Sequence, residues 1–129
     1  RIEFTGRLDA AAQSAFYARA RWYVSVPRSD SVSVSVLEAM GHGCIPLLSD
    51  LPANRELVRD GSNGLIVPDG VAAFDVAALE RLAADAPSIA AANRDWVGAH
   101  ALFEPCIAAF VARLEQSTPR PARTAAPTP

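Results

Sequence analysis

The chain has 129 residues, a formal net charge of -2 and 12 basic residues, all of them arginine. Hydrophobic residues make up 50% and charged residues 20% of the sequence, a balance that suits one globular domain and excludes a chain that is disordered throughout. No apolar stretch is long enough to cross a bilayer and no basic face is visible, so neither a transmembrane segment nor a nucleic-acid partner is expected.

The N-terminal segment predicts a strand followed by a helix. Residues 2–5 alternate in the manner of a strand, and Gly6 ends it. Asp9 is expected to cap a helix over residues 10–20. Three residues of that helix recur at spacings of three and four and are expected to face the core: Phe16, Tyr17 and Ala20. Because strand-like sequence starts at Arg1, without Met or a leader, the chain is expected to lack a preceding part.

The next segment predicts a second strand, a polar loop and a short helix. Residues 22–26 are rich in aromatic and β-branched residues, which favour a strand, and Pro27 ends it. Residues 28–33 form a polar turn. The spacing of Ser35 and Glu38 is that of a capping box, which predicts a brief helix closed by the glycines of residues 41–43.

The middle of the chain continues the alternation of strands and helices. Residues 45–49 are apolar on both faces, which is typical of a strand buried in a parallel sheet. A helix is expected over residues 52–58, because a proline stands at its first position. Residues 65–67 predict a further short strand, which Pro68 ends.

The C-terminal part predicts three helices and a tail. Residues 71–84 are rich in alanine and carry an apolar stripe formed by Phe74, Ala78, Leu79 and Leu82. Helices over residues 88–102 and 104–115 follow, with a break near Pro105. Residues 117–129 consist mainly of Pro, Ala, Thr and Arg and are expected to be disordered.

The order of these elements predicts the fold class. Strands alternate with helices along residues 1–116, which favours one α/β domain: a three-layer, Rossmann-like parallel sheet with right-handed crossovers. In such sheets ligands bind beyond the carboxyl ends of the strands. The loop after residue 26 is therefore the expected ligand site.

The loop and helix of residues 27–38 carry the groups best suited to a ligand. Unpaired N–H groups and the positive dipole end at the helix start favour a phosphate. Glu38 has two open interpretations: its carboxylate binds two neighbouring hydroxyls of a ribose, or it completes the capping box with Ser35. Asp30 either reaches a second polyol or closes an Asx turn.

The cysteines and one histidine suggest no further chemistry. Cys44 and Cys106 lie far apart without a CxxC partner, so neither a zinc site nor a disulfide framework is expected. They are interpreted as reduced thiols of a cytosolic protein. His42 is interpreted as a solvated residue at a helix end rather than a general base.

Six motifs follow one another in the chain: Phe4-Thr5-Gly6, Tyr17-Ala18, Pro27, Ser33-Val34-Ser35-Val36-Leu37-Glu38-Ala39-Met40, Gly43-Cys44-Ile45-Pro46 and Asn63-Gly64-Leu65-Ile66-Val67. Together they resemble the retaining, nucleotide-sugar-dependent glycosyltransferases of the GT-B fold. The most specific of them is the Leu-Glu-Ala-Met run. The resemblance covers nearly all of the folded part and implies the later part of the C-terminal, donor-binding domain of that fold.

The resemblance also implies site residues. The family carries two glutamates separated by seven residues, and the corresponding positions hold Asp30 and Glu38, so the first acid is one methylene shorter. It implies that Glu38 holds the ribose hydroxyls of the donor and that Asp30 lies by the transferred sugar. Two more contacts are implied: donor phosphate at the N–H groups of Ser35, Val36 and Leu37, and the base near Arg7.

The function implied by the resemblance is a share in sugar transfer. The chain would contribute the donor site of an enzyme that moves a sugar from a nucleoside diphosphate to an acceptor with retention of configuration. The family's diphosphate-clamping Arg and Lys and its acceptor-binding N-terminal domain would precede Arg1, so the chain alone is expected to be inactive.

The expected partners are a nucleoside-diphosphate sugar and the missing N-terminal domain, with the acceptor unspecified. No cofactor or metal is implied, and the expected location is the cytoplasm. Two alternatives stay open: a non-catalytic nucleotide-binding or interaction module derived from that domain, and a sugar-nucleotide epimerase of the same fold.

Overall fold

A computed structural model describes residues 2–70 and 74–117, in which strands and helices alternate around a parallel sheet. The strands are β1 (Trp22–Ser25), β2 (Ile45–Ser49) and β3 (Leu65–Val67). The helices are α1 (Ala10–Arg19), α2 (Val34–Gly41), α3 (Pro52–Leu57), α4 (Val76–Ala84), α5 (Ala86–His100) and α6 (Phe103–Ser117).

The sheet has the topology that the sequence predicts. Its strand order is β1-β2-β3, and both neighbouring pairs are parallel, with Trp22 opposite Ile45 and Leu47 opposite Leu65. Parallel neighbours require a crossover, and α2 and α3 supply the two crossovers. The prediction of a Rossmann-like α/β fold with a parallel sheet is therefore confirmed.

The core lies on both faces of the sheet, because β2 is buried on both sides. One cluster of buried residues comprises Val36, Met40, Leu48, Leu57, Val58, Ile66 and Val97. The other comprises Ile45, Leu47, Leu65, Ala78, Leu82 and Ile89. Successive strand residues point to opposite faces, so Leu47 and Leu48 enter different clusters. Each fully buried aliphatic side chain of this kind stabilises the fold by about 1.5 to 3 kcal/mol.

Helix α5 joins the two faces. Ile89 near its start belongs to one cluster and Val97 near its end to the other. Between them, the buried Asn93 donates Nδ2 hydrogen bonds to the carbonyl oxygens of Cys44 (3.3 Å) and Asn63 (3.2 Å) and accepts one at Oδ1 from Asn63 Nδ2 (3.1 Å). These bonds attach α5 to the residue before β2 and to the turn before β3.

The N-terminal predictions are partly wrong. Residues 2–5 form no strand, and Ile2 and Phe4 are 84% and 94% exposed, because no described strand lies beside them to pair with. Helix α1 is confirmed, with the predicted cap: Asp9 Oδ1 accepts from Ala12 N at 2.8 Å. Its expected core face is wrong, since α1 has no buried residue and Phe16 is 40% exposed. The helix packs beside α2, and Tyr17 makes an edge contact with Tyr23 of β1, with ring centroids 5.8 Å apart.

Helix α2 begins two residues earlier than the predicted capping box requires. Its N-cap is Ser33, which makes no side-chain cap hydrogen bond, and Ser35 lies inside the helix. Ser35 Oγ lies 2.8 Å from Ser33 Oγ, and Glu38 is the fifth helical residue, beyond the first turn. The capping box of Ser35 and Glu38 is therefore wrong, because a capping box joins the N-cap to the third helical residue.

The later helices differ from the prediction in their bounds. Helix α4 begins after the cap Asp75, whose Oδ1 accepts from Ala78 N, so Phe74 precedes the helix instead of belonging to its stripe. The start predicted at residue 71 lies outside the described residues. Pro105 falls in the first turn of α6, where a proline is tolerated, so the helix break comes before it. Ser117 ends α6, and residues 118–129, with their expected disorder, lie outside the described part.

Among residues 2–70 and 74–117 no single helix is long and apolar enough to cross a membrane. Helices α5 and α6, which meet at a bend of 47°, have the length and apolar composition of a membrane span only when taken together.

Candidate functional site

A groove follows the carboxyl ends of all three strands. It has a volume of about 410 Å³, and we call it the carboxyl-edge groove. It is lined by residues 26–28, 49–51 and 67–70 and by Phe74. Its position agrees with the general rule that ligands of parallel α/β sheets bind at this edge. The loop after residue 26, the expected ligand site, forms one wall.

Charged side chains stand at the groove. Arg28, Asp50 and Asp69 line it. Asp50 receives two hydrogen bonds from the guanidinium of Arg55, including one of 2.8 Å from its Nη2, and this bonding holds the pKa of Asp50 below its usual value. Arg55 therefore acts within the turn that links β2 to α3.

Asp30 lies on the exposed loop between the groove and α2. Its Oδ1 accepts a hydrogen bond from the backbone N–H of Ser31 at 2.8 Å. It lines neither the carboxyl-edge groove nor the smaller pocket described below. The structure therefore places Asp30 near the expected site without a contact that assigns it a partner beyond the loop itself.

The first turn of α2 uses part of its hydrogen-bonding capacity internally. The backbone N–H groups of Val36 and Leu37 both donate to the carbonyl oxygen of Ser33, at 3.1 and 3.3 Å. The helix geometry leaves the N–H groups of its first residues, Val34 and Ser35, without intrahelical acceptors. Of the three N–H groups implied for phosphate, that of Ser35 is best placed to donate a hydrogen bond to an external anion.

Glu38 lies in a small pocket between α1 and α2, which we call the α1–α2 pocket. The pocket has a volume of about 110 Å³ and is lined by Ala10, Gln13, Ser14, Tyr17, Glu38 and His42. Glu38 is exposed, and its Oε2 accepts a hydrogen bond from Gln13 Nε2 at 3.1 Å. The same nitrogen donates to the Tyr17 hydroxyl at 2.7 Å. Burial raises the pKa of Tyr17, so this hydroxyl is neutral at physiological pH.

His42 connects the two helices at the same pocket. Its Nδ1 lies 2.9 Å from the carbonyl oxygen of Glu38, and its Nε2 lies 2.7 Å from Ser14 Oγ. Because a carbonyl oxygen can only accept, we assign the proton to Nδ1, and Nε2 then accepts from the Ser14 hydroxyl. The ring also packs against Tyr17, with centroids 5.7 Å apart. His42 is exposed, as expected of a solvated residue, and its ring also links the two helices.

Sequence reasoning missed the α1 side of this pocket. Gln13 and Ser14 were not singled out, and Tyr17 was assigned to the core. One signal was present: Gln13 and Tyr17 stand four residues apart, so they share a helix face. Arg7 is exposed and stands three residues before Ala10, at the end of α1 that lines the pocket.

Within residues 2–70 and 74–117 no three His, Cys, Asp or Glu side chains come together in a way that could hold a metal ion. Cys44 is buried, and desolvation raises its pKa, whereas Cys106 is exposed. The two thiols are not paired with each other.

A family model described as "Glycosyl transferases group 1" matches residues 1–85. This range includes the three strands, α1 to α4, both pockets and the segment from Asp30 to Glu38. No curated protein matches the chain, and no solved structure does.

Proposed function

The chain belongs to the group 1 glycosyltransferases, and from this premise we propose that it contributes the donor-binding site of a retaining enzyme with the GT-B fold. The ligand would be a nucleoside-diphosphate sugar. The observation that carries the proposal is the position of the Glu38 side chain. Its carboxylate has no capping role, is exposed and lines a pocket of polar side chains.

The pocket chemistry suits the diol of a ribose. A carboxylate has about four lone-pair positions on two oxygens, and Gln13 occupies one position on Oε2. The rest can accept hydrogen bonds from two neighbouring hydroxyls of one sugar ring. Hydrogen bonds to a charged group contribute about 1.5 to 3 kcal/mol each, so a bidentate contact of this kind has a large effect on affinity.

The start of α2 suits the diphosphate. Glu38 stands four positions after Val34, which corresponds to about 6 Å along a helix axis. That spacing is comparable with the distance from a ribose diol to the phosphates of a nucleoside diphosphate. The N–H groups of Val34 and Ser35 and the helix dipole would then stabilise the negative charge that develops on the leaving diphosphate.

The groove and the loop suit the sugar end of the donor. Asp30 stands on the loop that links the carboxyl-edge groove to α2, and a ligand held at Glu38 and Ser35 would extend toward that loop. We assign Asp30 to the transferred sugar and Arg7, three residues before the pocket residue Ala10, to the base. The family's cationic diphosphate clamp and its acceptor domain would complete the site, so we expect no sugar transfer by this chain alone.

The test is a comparison of two charge-neutralising variants. Glu38→Gln should weaken binding of UDP or GDP, followed by NMR titration, by about 1 to 3 kcal/mol, or about 5- to 150-fold. Glu80→Gln, at an exposed position of α4, is the matched control and should leave affinity unchanged. Because Glu38 caps nothing, Glu38→Gln should change stability by less than about 0.5 kcal/mol. Unchanged nucleotide affinity in Glu38→Gln would refute the ribose assignment.

One observation favours the non-catalytic alternative. The carboxylate of Asp30 is shorter than glutamate and is bonded to its own neighbour, Ser31. If the function is binding alone, Asp30→Ala will leave nucleotide-sugar affinity unchanged, and the complete protein will release no labelled sugar to any acceptor. A transferase will instead consume labelled donor and form a glycosylated product.

A further inference from the structure

Gln13 holds a central position in the α1–α2 pocket. An amide nitrogen carries two hydrogens, and both are used here: one is donated to the Tyr17 hydroxyl at 2.7 Å and the other to Glu38 Oε2 at 3.1 Å. Tyr17 lies one helical turn from Gln13 on the same helix, whereas Glu38 is 25 residues away on α2. Gln13 therefore connects a partly buried hydroxyl of α1 to the exposed carboxylate of α2.

We propose that Gln13 is a positioning residue that orients the Glu38 carboxylate for a ribonucleoside diphosphate and so helps the site to prefer ribose over 2′-deoxyribose. The proposal rests on the donor site proposed above. It extends that function to a residue on α1 and to the class of nucleotide that the site accepts.

The reason lies in the flexibility of an exposed glutamate. Its side chain has several rotatable bonds, and a ligand that binds it must bear the entropic cost of ordering them. A hydrogen bond from Gln13 restricts the carboxylate before the ligand arrives, which lowers that cost. The bond occupies one oxygen position and leaves the other oxygen in a defined place. A diol can use such an arrangement fully, whereas a sugar without its 2′-hydroxyl loses one of the two contacts.

The surrounding contacts keep the two helices at the separation that this hydrogen bond needs. The Ser14 hydroxyl and His42 Nε2 lie 2.7 Å apart across the same pocket. Cys44 Sγ donates to the Tyr17 carbonyl oxygen at 3.4 Å, a second connection to α1. Since these contacts do not involve the Gln13 amide, a change at Gln13 should alter the carboxylate more than the helix packing.

The proposal is tested by replacing the hydrogen-bond-donating amide of Gln13 with a carboxylate, which can only accept hydrogen bonds when it is ionised. In Gln13→Glu, two carboxylates face each other, so at about pH 7.5 they repel and the affinity for UDP or GDP should fall about tenfold. At about pH 5.5 the close pair shares a proton, the hydrogen bond returns, and the loss should shrink to about threefold or less. Tyr17 and His42 also face Glu38, so each affinity is divided by that of the unaltered chain at the same pH.

Two further variants make the result specific. Gln116→Glu adds the same charge at an exposed position of α6 and should change neither affinity nor its pH dependence. Gln13→Leu removes the hydrogen-bond donor without adding charge. It should lower the preference for UDP over 2′-deoxy-UDP at least about threefold at both pH values. Leucine and glutamate are both good helix formers, so α1 should persist, which circular dichroism checks.

The possible outcomes separate the inference from the function on which it rests. If the unaltered chain binds neither UDP nor GDP, both the proposed donor site and the role of Gln13 are overturned. If Glu38→Gln weakens binding while the Gln13 variants keep the affinity and sugar preference of the unaltered chain, only the role of Gln13 is overturned. A loss in Gln13→Glu that is equal at both pH values would show a structural effect and would also overturn it.

Discussion

Replacing Asn93 with alanine should destabilise the protein by about 3 to 4 kcal/mol, the sum of three lost hydrogen bonds and the cost of leaving buried partners unpaired. Asn93 is 1% exposed. Its amide group makes three hydrogen bonds of 3.1 to 3.3 Å, to the carbonyl oxygen of Cys44 and to the backbone and side chain of Asn63. Their loss would detach the centre of α5 from the sheet.

Asn54→Ala is the matched comparison, because it removes the same atoms from another buried position. Asn54 is 4% exposed and makes one short hydrogen bond, from Nδ2 to the carbonyl oxygen of Ser49 at 2.8 Å, with a weaker contact of 3.5 Å to Ser49 Oγ. The expected cost is about 1 to 2 kcal/mol. Both asparagines are helical, so the gain in helix propensity from alanine affects both variants in the same direction.

Urea unfolding followed by tryptophan fluorescence provides the measurement. Trp96 lies one turn after Asn93 on α5, and Trp22 packs at the edge of the core, so both report on the sheet and its helices. With a denaturant slope of about 1 to 2 kcal/mol per molar urea, Asn93→Ala should lower the midpoint by about 1.5 to 4 M. A cost for Asn93→Ala no greater than that for Asn54→Ala would refute the reasoning that the hydrogen bonds of Asn93 hold α5 on the sheet.

Two further predictions concern packing and charge. Gly64→Ala should lower the free energy of unfolding by about 1 to 3 kcal/mol, because the new Cβ would collide with the carbonyl oxygen of Pro46. Gly98→Ala, in open space on α5, should raise it by up to about 1 kcal/mol. Urea unfolding that ranks the two variants the other way would contradict this. Arg55 lowers the pKa of Asp50, so the stabilisation from their ion pair is complete above the usual carboxyl pKa of 3.8 and is lost as the pH falls below it. The difference in urea midpoint between the unaltered chain and Asp50→Asn should therefore be constant near neutral pH and shrink below about pH 4, and a difference that grows on acidification would exclude the ion pair as its cause.

Local patterns determined most of the strands and helices. The aromatic and β-branched run that forms β1, the two-faced apolar run of β2 and the cap Asp9 of α1 depend on residues close together in sequence. The alternation of strands and helices then restricts the topology to a parallel sheet, because a parallel pair must be joined by a crossover. The carboxyl-edge groove follows from that topology, and its place was predicted for the same reason.

Interactions between distant segments decided the rest. Residues 2–5 have the pattern of a strand, yet a strand needs a neighbour, and the described structure places none beside them. The spacing of Ser35 and Glu38 fits a capping box, but the N-cap of α2 is Ser33 and the helix starts at Val34, so Glu38 lies beyond the first turn and contacts Gln13 instead. The sequence alone could therefore identify Glu38 as a candidate and leave its role open. Only the packing of α1 beside α2 brings Gln13, 25 residues earlier, within hydrogen-bond distance of that carboxylate, because side-chain reach across two helices depends on how they pack and not on sequence spacing.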